Sequence, residues 1–100
     1  MNWFHNNIKY STQQIDWEDF YNSYGNNQKL KELYPVSKVK YEDIVYPVVY
    51  HIKWDKCFLL DCIHVGGNTT KISAWIRDIY NPERIFITQA NKLELVIYAN

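Results

Sequence analysis

Several absences bound this chain before any motif is considered. It has only two cysteines, Cys57 and Cys62, among its 100 residues. That is too few for a disulfide scaffold, and they do not form the paired CxxC spacing of a zinc ribbon. Three glycines and three prolines leave no room for a flexible linker or a low-complexity tract. No apolar run approaches the ~20 residues that a membrane-spanning helix needs. The first seven residues, MNWFHNN, carry neither the basic nor the apolar region of a secretory leader, so the expectation is a soluble, cytoplasmic protein. An excess of charge of either sign is missing too. Eleven basic and eleven acidic residues cancel, which argues against general nucleic-acid binding.

What the chain does have is aromatic and aliphatic mass. Residues of the set AVILMFWYC make up 47%, with nine Tyr and four Trp, enough for one globular domain over residues 1–100. The charge is mildly segregated. Residues 1–27 hold one Lys against three acids, and residues 28–56 hold six Lys against four.

Periodicity predicts a helix over Thr12 to Tyr24, capped by Ser11 or Thr12 and stopped at Gly25, and a second over Asn27 to Tyr34, ended by Pro35. Val36 to Tyr41 alternates as a strand does. Ile44 to Trp54 and Cys57 to Val65 have strand composition and predict a hairpin turning at Asp55-Lys56, with Val48 opposite Ile63 and Ile52 opposite Leu59. Pro47 marks an edge or a bulge. Thr70 to Tyr80 carries Ile72, Trp75, Ile76 and Ile79 at helical spacing, which would bury Trp75 and Ile76 together. Arg84 to Gln89 and Leu93 to Tyr98 close the chain as a hairpin turning at residues 90–92. The expected fold is α+β: an N-terminal helical hairpin and a mainly antiparallel sheet of about five strands, in the order α-α-β-β-β-α-β-β.

Four groups of residues invite a functional reading. Gly66, Gly67, Asn68 and Thr69 join an expected strand to an expected helix, where free amides and the helix dipole can hold an anion. The same residues serve as an ordinary helix start, since neither GxxxxGK[ST] nor GxGxxG is present. Cys57 and Cys62 point to opposite faces of a regular strand, so they cannot share an ion. No metal or other cofactor is expected. His51 and Cys62 fall on one face, where a base and a thiol could meet, while His64 lies further along the same strand. Asp16, Trp17, Glu18, Asp19 and Tyr21 interleave carboxylates with aromatic rings, the composition of an interface that meets a basic protein surface.

The leading expectation is a non-enzymatic protein-binding module of an inhibitor, immunity or antitoxin-like kind, bacterial or phage in type, that occludes a partner protein. The alternatives are a small enzyme or anion- and nucleotide-binding domain built on the glycine loop, and a subunit that self-associates as a homo-oligomer.

Overall fold

The computed structural model describes residues 10–65 and 71–98, with Tyr98 for its backbone alone. A short strand β1 (Tyr10–Gln13) leads into helix α1 (Trp17–Tyr24) and the single turn of α2 (Leu30–Leu33). Six strands follow: β2 (Lys38–Tyr41), β3 (Ile44–His51), β4 (Lys56–Val65), β5 (Ile72–Asp78), β6 (Ile85–Gln89) and β7 (Leu93–Tyr98). A 3-10 turn, Ala90–Lys92, separates the last two. All described pairings are antiparallel, in the order β1-β7-β3-β4-β5-β6, with β2 beside the first half of β3.

This corrects the expected architecture. The sheet has seven described strands instead of about five, and the segment after the glycine loop is β5, not a helix. Ile72, Ala74, Ile76 and Asp78 are buried while Trp75 is 36% exposed, so the segment has a period of two. Ile72, Trp75, Ile76 and Ile79 fit a helical stripe equally well on paper. The long ladder with β4, running from Phe58↔Asp78 to Val65↔Ile72, overrides local spacing.

The final hairpin is not one either. β6 pairs with β5, whereas β7 lies between β1 and β3. The reason is burial: Leu95 and Val96, adjacent and facing opposite sides, are both inaccessible to solvent, which only an interior strand provides.

Boundaries shift at the N-terminus. Residues 10–13 form a strand, and α1 begins only after Asp16, whose Oδ1 accepts the Asp19 amide at 3.0 Å. Gly25 ends α1 in the left-handed region at φ 78°, its N–H donating to the Tyr21 carbonyl. The β3–β4 turn is residues 52–55, not the two residues 55–56, so Val48 pairs with Leu59 instead of Ile63. Asp55 adopts φ 52° and its N–H closes the turn onto the His51 carbonyl at 2.8 Å. Pro47 falls just before the β4 ladder begins at Val48, where its missing N–H costs no bond to β4.

The sheet is strongly curled. β3 and β6 are three strand positions apart, about 14 Å in a flat sheet, yet His51 on β3 lies 2.9 Å from the Thr88 hydroxyl on β6. The concave side holds the larger core, including Val49, Phe58, Leu60, Ile63, Ala74, Ile76 and Leu95. Trp17, Phe20 and Leu30 close it from the helices. The Trp17 indole N–H donates to the Leu93 carbonyl at 3.0 Å and ties α1 to β7. The convex side has a second cluster, Tyr46, Val48, Leu59, Ile79 and Val96, with Val39 and Tyr41 of β2 packed against it.

Both faces of the β3–β4 hairpin are therefore core, although its sequence marks the face of Val48 and Leu59 as the better candidate. A bulge between Leu60 and Cys62 turns Ile63 back to the concave side. Asn27 stabilises this irregular stretch. Its amide donates to the Asp61 carbonyl (3.2 Å) and its Oδ1 accepts the Ile63 N–H (3.3 Å).

The strand assignment of residues 72–78 makes a direct prediction. Ile76→Ala should cost about 2 to 5 kcal/mol, as a buried aliphatic truncation does, and Trp75→Ala less than about 1 kcal/mol. Urea unfolding of the two variants checks this, and equal losses would restore the helical stripe.

Candidate functional site

The acidic-aromatic segment forms the start of α1, with its largest rings turned into the core. Trp17 is 4% exposed and Phe20 is buried with it; the two rings meet edge-on at 6.5 Å. Trp17 is thus a core residue rather than an exposed anchor, and Tyr21 packs on the rim of the same core. Asp16 serves as the N-cap, and Glu18 and Asp19 sit in the first turn, where the helix dipole favours negative charge. Asp16, Trp17 and Glu18 do line one side of a groove of about 340 Å³, whose other walls include Ile52, Lys71 and Glu94.

Gly66, Gly67, Asn68 and Thr69 lie outside the described residues. The chain that follows is a strand, so the helix dipole on which an anion site there would draw is missing among the described residues.

The bulge rearranges the candidate chemistry of β4. Cys62 pairs with Trp75, whose side chain faces outward, and His51 faces the concave core, so the two stand on opposite sides of the sheet. Cys57 and Cys62 come to share the convex face instead of opposing one another. They remain roughly 13 Å or more apart along the strand, beyond joint chelation. Burial pushes both thiols up from their ordinary range, and Asp61 adds to this at Cys62. Neither has the depressed pKa of an activated nucleophile. Cys57 Sγ and the Tyr10 hydroxyl are hydrogen-bonded at 3.5 Å, and the phenol's bond to the sulfur, together with burial, pushes Tyr10 up to about 12.

His64 stands edge-on to Trp75 at 6.0 Å. Among the described residues no three His, Cys, Asp or Glu side chains gather into a metal site, and no helix is long and apolar enough to cross a membrane.

Two features emerge that sequence reasoning had passed over. One is an ion pair at the start of the β5–β6 turn. Lys56 donates to Asp78 Oδ2 at 2.8 Å, and Asp78 Oδ1 accepts the amides of Tyr80 (2.8 Å) and Asn81 (3.3 Å). Burial raises the Asp78 pKa, but the Lys56 bond and these amides outweigh it, and the carboxyl ends below its ordinary 3.8. Its signal in the sequence is the short spacing from Asp78 to Asn81-Pro82, a turn in which a carboxylate caps its own following amides.

The second is the convex face of β5 and β6. β2 and the turn after β5 cover the neighbouring face, where Ile79 and Tyr46 are buried. Beyond them Ile85 is 42% and Ile87 64% exposed beside Trp75, with Trp75 directly opposite Ile87 and Arg77 opposite Ile85. Arg77 is held down by bonding the Pro82 carbonyl at 2.8 Å and lying 5.6 Å from the Tyr46 ring. Its Nε stands 3.8 Å from Asp61, a charge contact too long for a hydrogen bond.

β6 also has only one neighbour among the described strands. Its residues Ile85-Phe86-Ile87-Thr88-Gln89 include no charge and no proline, the residues that normally block pairing at a sheet edge. The signal was legible as an uncharged β-branched run. Its exposure is not legible locally, because the sequence order suggests a hairpin with β7 that the sheet does not form.

The Asp78 carboxylate predicts an acid-sensitive turn. Its folded pKa is depressed, so its contribution is complete above the unfolded value near 3.9 and is lost as pH falls through the folded one. Asp78→Ala should cost roughly 2 to 3 kcal/mol at pH 7. Denaturation at a series of pH values should show the gap to wild type closing below about pH 3.9.

Comparison with family models, with curated proteins and with solved structures gave no match, so the functional reading rests on geometry and chemistry alone.

Proposed function

We propose that this chain is a protein-binding module, and that its contact surface is the convex face of β5 and β6 together with the β6 edge. The observation that carries this is the patch Trp75, Ile85 and Ile87, exposed side by side across β5 and β6, with no charge on β6 to discourage pairing. Exposed apolar clusters of this kind favour protein contact, and an open strand edge adds main-chain hydrogen bonds from an extended partner segment. Occlusion of a partner, as an inhibitor, immunity or antitoxin-like protein would do, is the function that fits a small chain whose thiols are not activated. Both cysteines are unpaired, which supports a reducing, cytoplasmic setting. The acidic residues Asp16, Glu18 and Asp19 then act mainly on α1 and contribute little to binding.

The same edge favours a second reading, self-association. Two copies of Ile85–Gln89 run antiparallel about a two-fold axis at Ile87 would place identical uncharged strands together.

Ile87→Lys distinguishes these readings from the acidic-helix alternative. A lysine on an edge strand blocks pairing and leaves the concave core untouched. With the partner captured, purified and titrated, Ile87→Lys and Trp75→Ala should each weaken binding at least about tenfold, on the order of 1.4 kcal/mol. The triple change Asp16→Asn, Glu18→Gln and Asp19→Asn should leave affinity within about threefold. The reverse pattern would place the interface at α1. A concentration-dependent dimer seen by light scattering, and abolished by Ile87→Lys, selects self-association.

A further inference from the structure

His51 is 1% exposed, and both of its ring nitrogens are engaged. Nδ1 is 3.1 Å from the backbone nitrogen of Trp54, and Nε2 is 2.9 Å from the Thr88 hydroxyl. A backbone N–H can only donate, so Nδ1 must be the bare nitrogen and Nε2 carries the hydrogen that it gives to Thr88. The tautomer is therefore set by the geometry, and the ring in this arrangement is neutral.

The Trp54 indole lies flat on the imidazole, 3.8 Å away at 8°, and meets Phe58 at 5.7 Å and Phe86 at 6.1 Å edge-on. One histidine thus joins the tip of the β3–β4 turn to β6, and Trp54 caps two core rings.

We propose that residues 52–55 form a proton-operated latch: closed while His51 is neutral, and released on acidification so that Trp54 swings off Phe58 and Phe86. A second proton can go only to Nδ1, where it would point at the Trp54 N–H. That breaks the bond holding the tip and sets two donors against each other.

The surroundings offer no compensation. Lys53 on the tip and Lys92 on the 3-10 turn are both cationic toward the ring. Asp55 on the tip is bonded to the Tyr50 hydroxyl at 2.5 Å. On β4 and β5, Lys56 and Asp78 are paired with each other. β6 presents the neutral Thr88 and Phe86, and on β7 Leu93 is the residue opposite, with Glu94 paired to Tyr50 on the convex side. Stacking on indole favours a cation, but it is lost once the tip leaves. Burial, then Lys53 and Lys92, holds the imidazole below its ordinary 6.5. The closed state is thus fully favoured above pH 6.5 and weakens as pH falls below it.

The test uses the whole chain, without a partner, labelled with 5-fluorotryptophan and followed by fluorine NMR between pH 7.5 and 4.5, with Trp54→Phe identifying the Trp54 signal. The Trp54 signal should move toward its solvent-exposed position with a midpoint below 6.5, while the Trp17 signal reports an intact core. Exchange of the Trp54 amide should accelerate at least tenfold beyond its intrinsic pH dependence. His51→Gln, whose amide can make both bonds without titrating, should flatten the transition. Should that variant fail to fold, Thr88→Ala removes the acceptor of the closed state and should move the midpoint up toward 6.5. A Trp54 signal that moves only together with Trp17, a titration unchanged in folded His51→Gln, or a midpoint unmoved in Thr88→Ala would overturn the latch.

Discussion

A single sheet in a chain of this length has to bury apolar side chains on both of its faces, and everything else in the molecule follows from how it does so. β3, β4 and β7 each carry fully inaccessible residues pointing in opposite directions, such as Val48 and Val49, Leu59 and Leu60, Leu95 and Val96. Curling solves the inner face. It wraps the strands around a common core that two short helices can close, although neither helix is long enough to be stable alone. The outer face has less available to cover it. β2 and the turn after β5 shield the part nearest β3 and β4, and among the described residues nothing covers the part on β5 and β6.

The candidate surface and the latch are two results of that one constraint. Because none of the described residues covers the convex side of β6, Ile85 and Ile87 are exposed. Because curling brings β6 toward β3, Thr88 comes within reach of His51, and the turn between β3 and β4 folds over Phe86. The outward residues of β6 form the proposed contact surface, and the inward ones touch the tip. A strand of five residues, Ile85–Gln89, thus serves both sides of the sheet.

The bulge at Asp61 has a comparable double effect. It lets Ile63 return to the core, and it moves Cys62 to the convex side, away from His51. Local irregularity of this kind decides which side chains can meet. The pairing of a base with a thiol, plausible on a regular strand, is undone by one extra residue, while Asn27, 34 positions earlier in the chain, supplies the bonds that make the extra residue tolerable.

Local chemistry alone determined several features. Gly25 ends α1 because a positive φ is needed there; Pro47 sits at the end of the β2–β3 ladder, opposite Lys38, and just before the β4 ladder begins; the two strands of the β3–β4 hairpin follow from β-branched and aromatic content. The acids at Asp16, Glu18 and Asp19 mark a helix start, whose cap is a side-chain bond between neighbours in the chain. Tertiary structure decided the rest. Residues 72–78 satisfy a helical and a strand period equally, and only the long β4 edge selected the strand. Leu93–Tyr98 went between β1 and β3 because both of its faces needed burial. The contacts of His51 with Thr88, and the exposure of Trp75, Ile85 and Ile87, depend on sheet order and curl. These are sums over pairings distant in sequence, which periodicity within one segment cannot represent.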